Sequence, residues 1–384
     1  MNKILKKGLV CSLTLLLASA LVSGCSSDTA SNKSTSTAKN QLIPESNAEI
    51  EAKAKAEGKV VVYSITSRIS IAAKGFEQKY GIKVEASDLK DFELIDKIKT
   101  EVQAGASGAD FVICQDSGRV WGELLQTGYV YNYVPENLKT VIPLERQDPL
   151  IFTYMNKVFC YNSDTNPSPP ITNIWQLTEP QWQKKFFFKS PLQEGINANF
   201  LTMLTSPENS AKLEQAYEKL YNKKLTLTTP NAGYEWIKLA FKNGIVMASS
   251  DTAMTEAIGV KGHNLNNIGL LNYSKLRYIK SKNLAVLPIT SLEPICGFYY
   301  PEYALLVKDG KHPYAAKLFI EYLLSEEGFA PWKEDSGTYS GNPTIAVAQG
   351  DKSIEEWSKI LVGEDSKFIF EHRADVEDFL SHEM

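Results

Sequence analysis

Apolar runs and helical periodicities alternate along the first part of the chain. Lys59–Tyr63 is a short β-branched run, typical of a strand buried on both faces, and apolar residues then recur at helical spacing through Ile71 and Phe76. Gly81 ends that helix, and Ile82–Ala86 is the next strand-like run. This order predicts one strand–helix–strand unit.

A second unit of the same kind follows. Asp91–Gln103 has its apolar residues on one helical face, and Ala109–Gln115 is again a buried-strand run. Another helix, with Val120 and Leu124 on its apolar face, comes next. Strands and helices in this alternation predict an α/β fold of open parallel sheets with helices on both sides.

Four of the predicted strands end in polar turns that lead into helices. Open α/β sheets bind ligands at the carboxyl ends of their strands, where helix N-termini present free N–H groups. Ser, Thr and Asp also favour plain helix caps, so each turn taken alone has a structural alternative. Because four such turns occur in one chain, they predict a shared pocket. The candidate ligand-binding residues are Ser64, Thr66, Ser67, Arg68, Gln115, Asp116, Ser117, Ser190, Asn197, Ser250, Asp251 and Thr252, with Tyr299 added from a later strand.

Extended stretches in the middle of the chain predict two crossings between lobes. The first is Pro149–Tyr161, and the second comprises Leu284–Thr290 and Ile295–Lys308. A chain that crosses twice builds two lobes joined by a hinge, and about 360 residues after a leader exceed what one core usually holds. The predicted first lobe comprises residues 48–156 and 286–328, and the predicted second lobe comprises residues 157–285 and 329–384.

Residues 1–24 have the pattern of a removable export signal. Three lysines precede the apolar stretch Gly8–Val22, and the segment ends in Val22-Ser23-Gly24-Cys25. This ending resembles the bacterial lipobox, so Cys25 is predicted to become the lipidated first residue. The alternative is an ordinary signal with a cysteine present by chance. Residues 25–47 predict a flexible tether, which would hold the body at the extracytoplasmic face of the membrane or in the periplasm.

Composition and charge narrow the functional classes. The formal net charge of the 384 residues is −4, which argues against general nucleic-acid binding. Beyond the leader no apolar run approaches the roughly 20 residues that span a bilayer, so a multi-span membrane protein is excluded. There is no G-x-S-x-G, H-E-x-x-H, Walker or G-x-G-x-x-G motif. We therefore predict no catalytic residue, no metal site and no cofactor.

Three cysteines remain in the body, at positions 114, 160 and 296, without a C-x-x-C motif. A disulfide between two of them is compatible with export, but the sequence does not choose a pair. Burial as small strand residues is the favoured interpretation of Cys114, Cys160 and Cys296.

Several stretches together resemble one known family. The opening strand Val60–Ser64, the run Ala109–Val112 and the crossing run Phe159–Asn162 lead to it. The most specific stretch is Tyr303–Ile320, followed by Tyr322–Gly328. From about residue 59 to about residue 345 the chain resembles the extracellular solute-binding lipoproteins of ABC importers, of the ferric-ion and sugar-phosphate-type branch. The resemblance implies a two-lobed periplasmic-binding-protein fold, the type II clamshell, with two crossover strands as its hinge and without catalysis.

The residues at the matching positions bear on whether the solute is ferric iron. Ferric members of the family hold iron with adjacent tyrosines at the start of a second-lobe helix, and the matching stretch Ile245–Thr252 has none. Tyr299 and Tyr300 are adjacent, but neighbouring strand residues point to opposite faces. Ferric binding is therefore the weaker prediction.

Hydroxyls and one arginine instead suit an oxyanion that carries neutral groups. Thr66, Ser67 and Arg68 at a helix start can donate to phosphate or carboxylate oxygens. Asp116 and Asp251 can accept hydrogen bonds from the hydroxyls of a sugar or polyol. The open alternative for Arg68 is a side chain that points along its helix into solvent.

The leading hypothesis is the substrate-binding component of an ABC transporter that captures a small anionic solute, such as a sugar phosphate, between two lobes. Its expected partners are the solute, an ABC permease with ATPase subunits, and the membrane through the N-terminal lipid, but no nucleic acid. A monomer is expected. The alternatives are a ferric-ion-binding protein of an iron importer and a sensory surface receptor with the same fold.

Overall fold

Eleven strands and thirteen α-helical segments occur in the residues that this computed structural model describes, which are 45–262 and 266–383. The strands are β1 (Lys59–Ser64), β2 (Lys83–Asp88), β3 (Phe111–Cys114), β4 (Val130–Tyr131), β5 (Ile151–Asn162), β6 (Phe186–Lys189), β7 (Val246–Ala248), β8 (Ile268–Asn272), β9 (Val286–Pro288), β10 (Gly297–Val307) and β11 (Thr338–Ser340). The helices are α1 (Asn47–Glu57), α2 (Ile69–Tyr80), α3 (Asp91–Gln103), α4 (Ser117–Arg119), α5 (Gly195–Leu204), α6 (Pro207–Tyr221), α7 (Ala232–Lys242), α8 (Asp251–Gly259), α9 (Tyr278–Ser281), α10 (Pro313–Leu323), α11 (Glu326–Lys333), α12 (Ile354–Trp357) and α13 (Ser366–Glu383).

The strand–helix alternation predicted from the apolar pattern is confirmed. Helix α3 has the bounds that its periodicity predicts, and it buries Leu94, Ile95 and Ile98 on one face. The helix predicted next along the chain is present as the short α4, which continues into a π-helical turn at Val120–Leu125. Strand β1 begins at the predicted Lys59 and ends one residue beyond the predicted Tyr63. Periodicity predicts these elements well because each has one face or both faces in a core.

The strands form one continuous sheet in the order β2-β1-β3-β10-β5-β8-β6-β7. Strand β1 pairs in parallel with β2 and β3, and β6 pairs in parallel with β7 and β8. The two long strands β5 and β10 lie between these groups and pair with each other in antiparallel orientation. The short strand β4 pairs with β10, whereas β9 and β11 pair with β5. Two parallel groups joined by two long strands confirm the predicted two-lobed α/β fold.

We call the part built on β1–β3 the first lobe and the part built on β6–β8 the second lobe. The first lobe has an apolar cluster on each face of its sheet, one around Phe111 and one around Val112. The second lobe has one large cluster, in which Trp175 and Trp236 are buried. The described residues form one compact unit.

The lobe boundaries stay a prediction, and the core contacts favour different limits. Val286 and Cys296 fall within the predicted first lobe, but they pack into the apolar cluster of the second. Trp332 and Ile345 fall within the predicted second lobe, but they pack into a cluster of the first. Helix α13 packs against α5 and α7 of the second lobe and also against α4 of the first.

The body cysteines are free and buried, as the favoured interpretation predicted. Cys114 lies in β3, Cys160 in β5, and Cys296 directly before β10. Burial raises the pKa of all three thiols.

The export signal, Cys25 and the tether up to residue 44 lie outside the described residues. Within the described ranges, no helix combines the length and apolar character that crossing a bilayer requires.

Candidate functional site

A cleft with a volume of about 960 Å³ lies between the two lobes at the carboxyl ends of their parallel strands. Asp88 at the end of β2 and Gln115 after β3 line it from the first lobe. Lys189 at the end of β6 and Ser249 after β7 line it from the second. Strand ends from both lobes therefore share one cavity, which is where open α/β sheets bind ligands.

The first-lobe wall carries two carboxylates, Asp88 and Asp91, that form no salt bridge within the described part of the chain. Burial raises the pKa of Asp88. Burial, together with the negative charge of Asp116, raises the pKa of Asp91 to about 7. Asp91 Oδ1 accepts one hydrogen bond, at 3.3 Å from the backbone N–H of Gln115. Hydrogen-bond donors from a ligand would stabilise both carboxylates.

Asp116 follows β3 and is almost completely buried, but its oxygens already have partners. Its Oδ2 accepts a 2.5 Å hydrogen bond from Arg373 on α13. Its Oδ1 accepts from Asn199 at 3.3 Å and caps α4 through the backbone N–H of Arg119 at 3.5 Å. A solute hydroxyl would have to displace these donors before Asp116 could take its predicted role.

A buried lysine on β5 organises the second-lobe wall. Lys157 is 1% exposed, and its Nζ lies 2.8 Å from Glu194 Oε2, 3.1 Å from Asn197 Oδ1 and 3.3 Å from Asp251 Oδ1. Burial acts to lower the pKa of Lys157, but Asp251 and Glu194 outweigh it and the pKa is raised. Burial acts to raise the pKa of Asp251, but Lys157, the backbone N–H of Asn272 and two more distant lysines together outweigh it and the pKa is lowered. Asn197 and Asp251, both predicted to bind the solute, hold this lysine.

The hydroxyls of several predicted ligand residues accept hydrogen bonds from nearby backbone N–H groups, and one of them caps a helix. Ser64 Oγ accepts from the backbone N–H of Thr66 at 3.3 Å, and Thr66 Oγ1 accepts from that of Arg68 at 3.4 Å. Ser250 Oγ caps α8 by accepting from the backbone N–H of Ala253 at 3.1 Å. These hydroxyls support the turns that shape the cleft.

Arg68 contacts a carboxylate where the two lobes meet. Its guanidinium forms an ion pair with Asp335, which also accepts a 2.9 Å hydrogen bond from Arg277. Arg277 belongs to the second lobe, in the 3₁₀-helical segment Tyr273–Arg277 that follows β8. Arg68 therefore lies at the junction of the lobes, and it is not among the residues that line the cleft described above.

The adjacent tyrosines point to opposite faces of β10, as predicted. The ring of Tyr299 packs edge-on against Tyr154, with centroids 5.7 Å apart. The hydroxyl of Tyr300 accepts a 3.1 Å hydrogen bond from Asn272 in the second-lobe core. Neither tyrosine lines the cleft. Across the described ranges, no three or more His, Cys, Asp or Glu side chains are grouped so that they could hold a metal ion.

All thirteen predicted ligand residues lie in the described part of the chain, and two of them, Gln115 and Asp116, line the cleft. Ser67 is exposed before α2, Ser117 is buried in α4, and Thr252 is half-buried in the first turn of α8. The carbonyl of Ser190 accepts from the backbone N–H of Glu194 at 3.1 Å and so shapes the approach to α5.

Sequence reasoning missed several residues of the cleft wall. Asp88 ends β2 and Asp91 follows it, so the strand-end rule contained the signal for both. Lys189 and Glu194 flank predicted residues in the turn before α5. Arg373 had no local signal, because it reaches the cleft from α13, and its contact with Asp116 spans 257 positions.

The fold and the cleft agree with a known family. Residues 72–360 match the family of bacterial extracellular solute-binding proteins. The chain belongs to this family. As a solute-binding protein of this family it captures a small solute and delivers it to the permease of an ABC-type importer, and its relatives are transport proteins rather than enzymes. No curated protein matches the sequence.

Solved structures of similar fold come from several bacteria. Iron-bound HitA from Pseudomonas aeruginosa has a TM-score of 0.66 and 19% identity, over 85% of this solute-binding protein and 99% of that chain. The ferric binding protein from Campylobacter jejuni has a TM-score of 0.65 and 16% identity, over 84% and 99%. The substrate binding protein of an ABC transporter from Agrobacterium tumefaciens has a TM-score of 0.63 and 16% identity, over 85% and 94%. At these identities the likeness shows a shared fold.

Proposed function

We propose that this solute-binding protein captures a small hydrophilic solute that carries hydroxyl groups and a negative charge, as a sugar phosphate does. The supporting observation is the first-lobe wall of the cleft, where Asp88 and Asp91 form no salt bridge within the described residues. Carboxylates in such a site accept hydrogen bonds from hydroxyl groups. Hydroxyl recognition is therefore assigned to this wall.

The helix N-termini at the cleft provide little electrostatic stabilisation for the negative charge of the solute. Asp116 caps α4, Glu194 directly precedes α5, and Asp251 begins α8. Carboxylates at these positions already offset the partial positive charge of the helix ends. A solute anion therefore needs unpaired cationic side chains elsewhere in the site.

The mechanism that we propose is closure of two lobes around the solute. The first-lobe wall holds the hydroxyl groups, and approach of the second lobe then removes water from the solute. The closed form is the one that the permease recognises, so solute binding shifts the population toward it.

Ferric ion is a second candidate, favoured by the comparisons, which include iron-bound HitA and a ferric binding protein. In this chain Asp88 and Asp91 would be the oxygen ligands available in the cleft wall. Tyr299 and Tyr300 lie outside that wall, so they do not add phenolate ligands to it.

Calorimetric titration of the wild type and of Asp91→Asn tests the proposal. The probes are fructose, fructose 6-phosphate and ferric citrate, and Asp375→Asn on the exposed face of α13 is the matched control. We expect fructose 6-phosphate to bind the wild type and the control equally, and Asp91→Asn to bind it about tenfold more weakly. Binding of ferric citrate alone would overturn the proposal in favour of iron.

We also propose that the mature chain begins at Cys25, is anchored by lipid at that residue and is a monomer. The sequence pattern at Val22–Cys25 supports the cleavage site and the lipid anchor. Mass spectrometry of the membrane fraction should find an acylated N-terminal cysteine, and Cys25→Ser should release the protein from membranes. An unmodified Cys25 in a soluble mature chain would contradict the anchor. Light scattering would test the monomer.

A further inference from the structure

Three cationic side chains gather where the two lobes meet. Arg68 lies just before α2 of the first lobe, three positions after Ile65 in the cleft wall. Lys275 and Arg277 lie in the 3₁₀-helical segment Tyr273–Arg277 of the second lobe. Asp335, which follows α11, accepts from both guanidinium groups. One carboxylate thus serves two arginines from opposite lobes.

The ammonium group of Lys275 forms no hydrogen bond or ion pair among the described residues, although the residue is half-buried. Burial lowers the pKa of its ammonium group, Arg277 and Arg68 lower it further, and Asp251 acts in the opposite direction. A partly buried ammonium group without a partner is unfavourable. A negatively charged group bound beside it would remove that penalty.

The nearby carboxylates do not neutralise the positive charge of these three side chains. Asp251 and Glu194 are shared with Lys157 and Lys189, so that set is balanced. Glu302 interacts with Arg68, but burial and then Asp91 raise its pKa to about 8, so it is largely neutral at pH 7. Three cations against Asp335 alone leave about two positive charges uncompensated.

We propose that Arg68, Lys275 and Arg277 form the subsite for the oxyanion group of the solute, whether phosphate or carboxylate. This inference rests on the proposed function, because it locates the negative charge of the same solute. The planar guanidinium groups suit paired oxygens, and the ammonium group adds a point charge. Since the cations come from both lobes, the bound anion stabilises the closed arrangement.

Lys275→Met tests the subsite, because it removes the charge and keeps most of the side-chain stem. Lys280→Met on α9 is the matched control, since this nearby lysine is exposed. The probes are fructose 6-phosphate, gluconate, fructose and inorganic phosphate, titrated by calorimetry. We expect Lys275→Met to bind the preferred oxyanion about ten- to a hundredfold more weakly, with fructose binding unchanged. The comparison of fructose 6-phosphate with gluconate distinguishes phosphate from carboxylate.

Thermal unfolding without solute provides a second readout. Relief of repulsion among the cations should leave Lys275→Met with a Tm equal to or above that of the wild type.

Equal oxyanion affinity in the wild type and Lys275→Met overturns the subsite, as does an equal loss in the Lys280→Met control. Wild-type protein that binds fructose but neither oxyanion overturns the subsite and retains hydroxyl recognition. Phosphate binding that depends on Lys275, without binding of either sugar probe, supports the subsite and overturns the proposed solute. No binding of any probe overturns both.

Discussion

Arg373 donates a 2.5 Å hydrogen bond to Asp116 and so joins the C-terminal helix to the end of a first-lobe strand. Helix α13, which carries Arg373, also packs on α5 and α7 of the second lobe. The ion pair therefore ties the two lobes together at the cleft. The contacts of Asp335 with Arg68 and Arg277 form a second such tie.

Removal of the Arg373 charge should destabilise the protein strongly. Arg373→Met leaves Asp116 buried without its cation, and loss of one partner of a buried pair typically lowers the free energy of unfolding by about 3–5 kcal/mol. Urea denaturation at pH 7 measures the loss. The control is Glu377→Gln, which removes the more exposed partner of Arg373 and should cost about 1 kcal/mol or less. Similar losses in both variants would contradict this account.

Lys157→Met should be about as damaging, because it leaves Glu194 and Asp251 without their shared buried cation. We expect a loss of about 3–5 kcal/mol in the free energy of unfolding, measured by chemical denaturation. Lys189→Met is the matched control, since Lys189 also contacts Glu194 but is more exposed, and about 1 kcal/mol or less is expected. A Lys157→Met variant as stable as the control would show that Lys157 is not the anchor of the second-lobe wall.

Stability should fall as the pH rises from about 5 to 8. Burial raises the pKa of Glu302 and of Glu364 from an ordinary 4.5 to about 8, so the folded state binds more protons than the unfolded state in this window. Each carboxyl group contributes its full stabilisation below the pKa of the unfolded state and loses it as the pH rises through the pKa of the folded state. The contribution is about 1.4 kcal/mol for each unit by which the two pKa values differ. Tm measured against pH checks this.

The variant Glu302→Gln, which resembles the protonated carboxyl group, should be more stable than the wild type at pH 8 and should show a shallower pH dependence. Glu145→Gln at the exposed surface should follow the wild-type curve. Parallel curves for wild type and Glu302→Gln would contradict the raised pKa.

Gly118 should tolerate no side chain, because a Cβ there would lie 2.5 Å from Cγ2 of the buried Ile369 on α13. We expect Gly118→Ala to lower the free energy of unfolding by about 1–3 kcal/mol. The control is Gly122→Ala, whose Cβ would meet the ring of Phe370, which is 45% exposed and can turn away. The measurement is the Tm of each variant in thermal unfolding. Equal Tm values for the two variants would show that α13 moves to accommodate the added methyl group at Gly118.

The secondary structure was largely predictable from local patterns. Helix α3 has the predicted bounds, because its apolar residues repeat with the period of the helix. The hydroxyls of Ser64 and Ser250 were also visible as candidates, but the sequence left open whether they accept from backbone N–H groups near a helix start or bind solute. Both uses require the same residue types at a helix start.

By itself the sequence determined the order of strands and helices, the strand ends that meet at the cleft, and the export-signal pattern. Each of these depends on residues close together in the chain. Only the tertiary structure decided that Asp251 holds Lys157 and that Arg373 reaches Asp116. Side-chain pairing across long separations depends on how the lobes pack, and a free carboxylate and a paired one have the same local pattern in sequence.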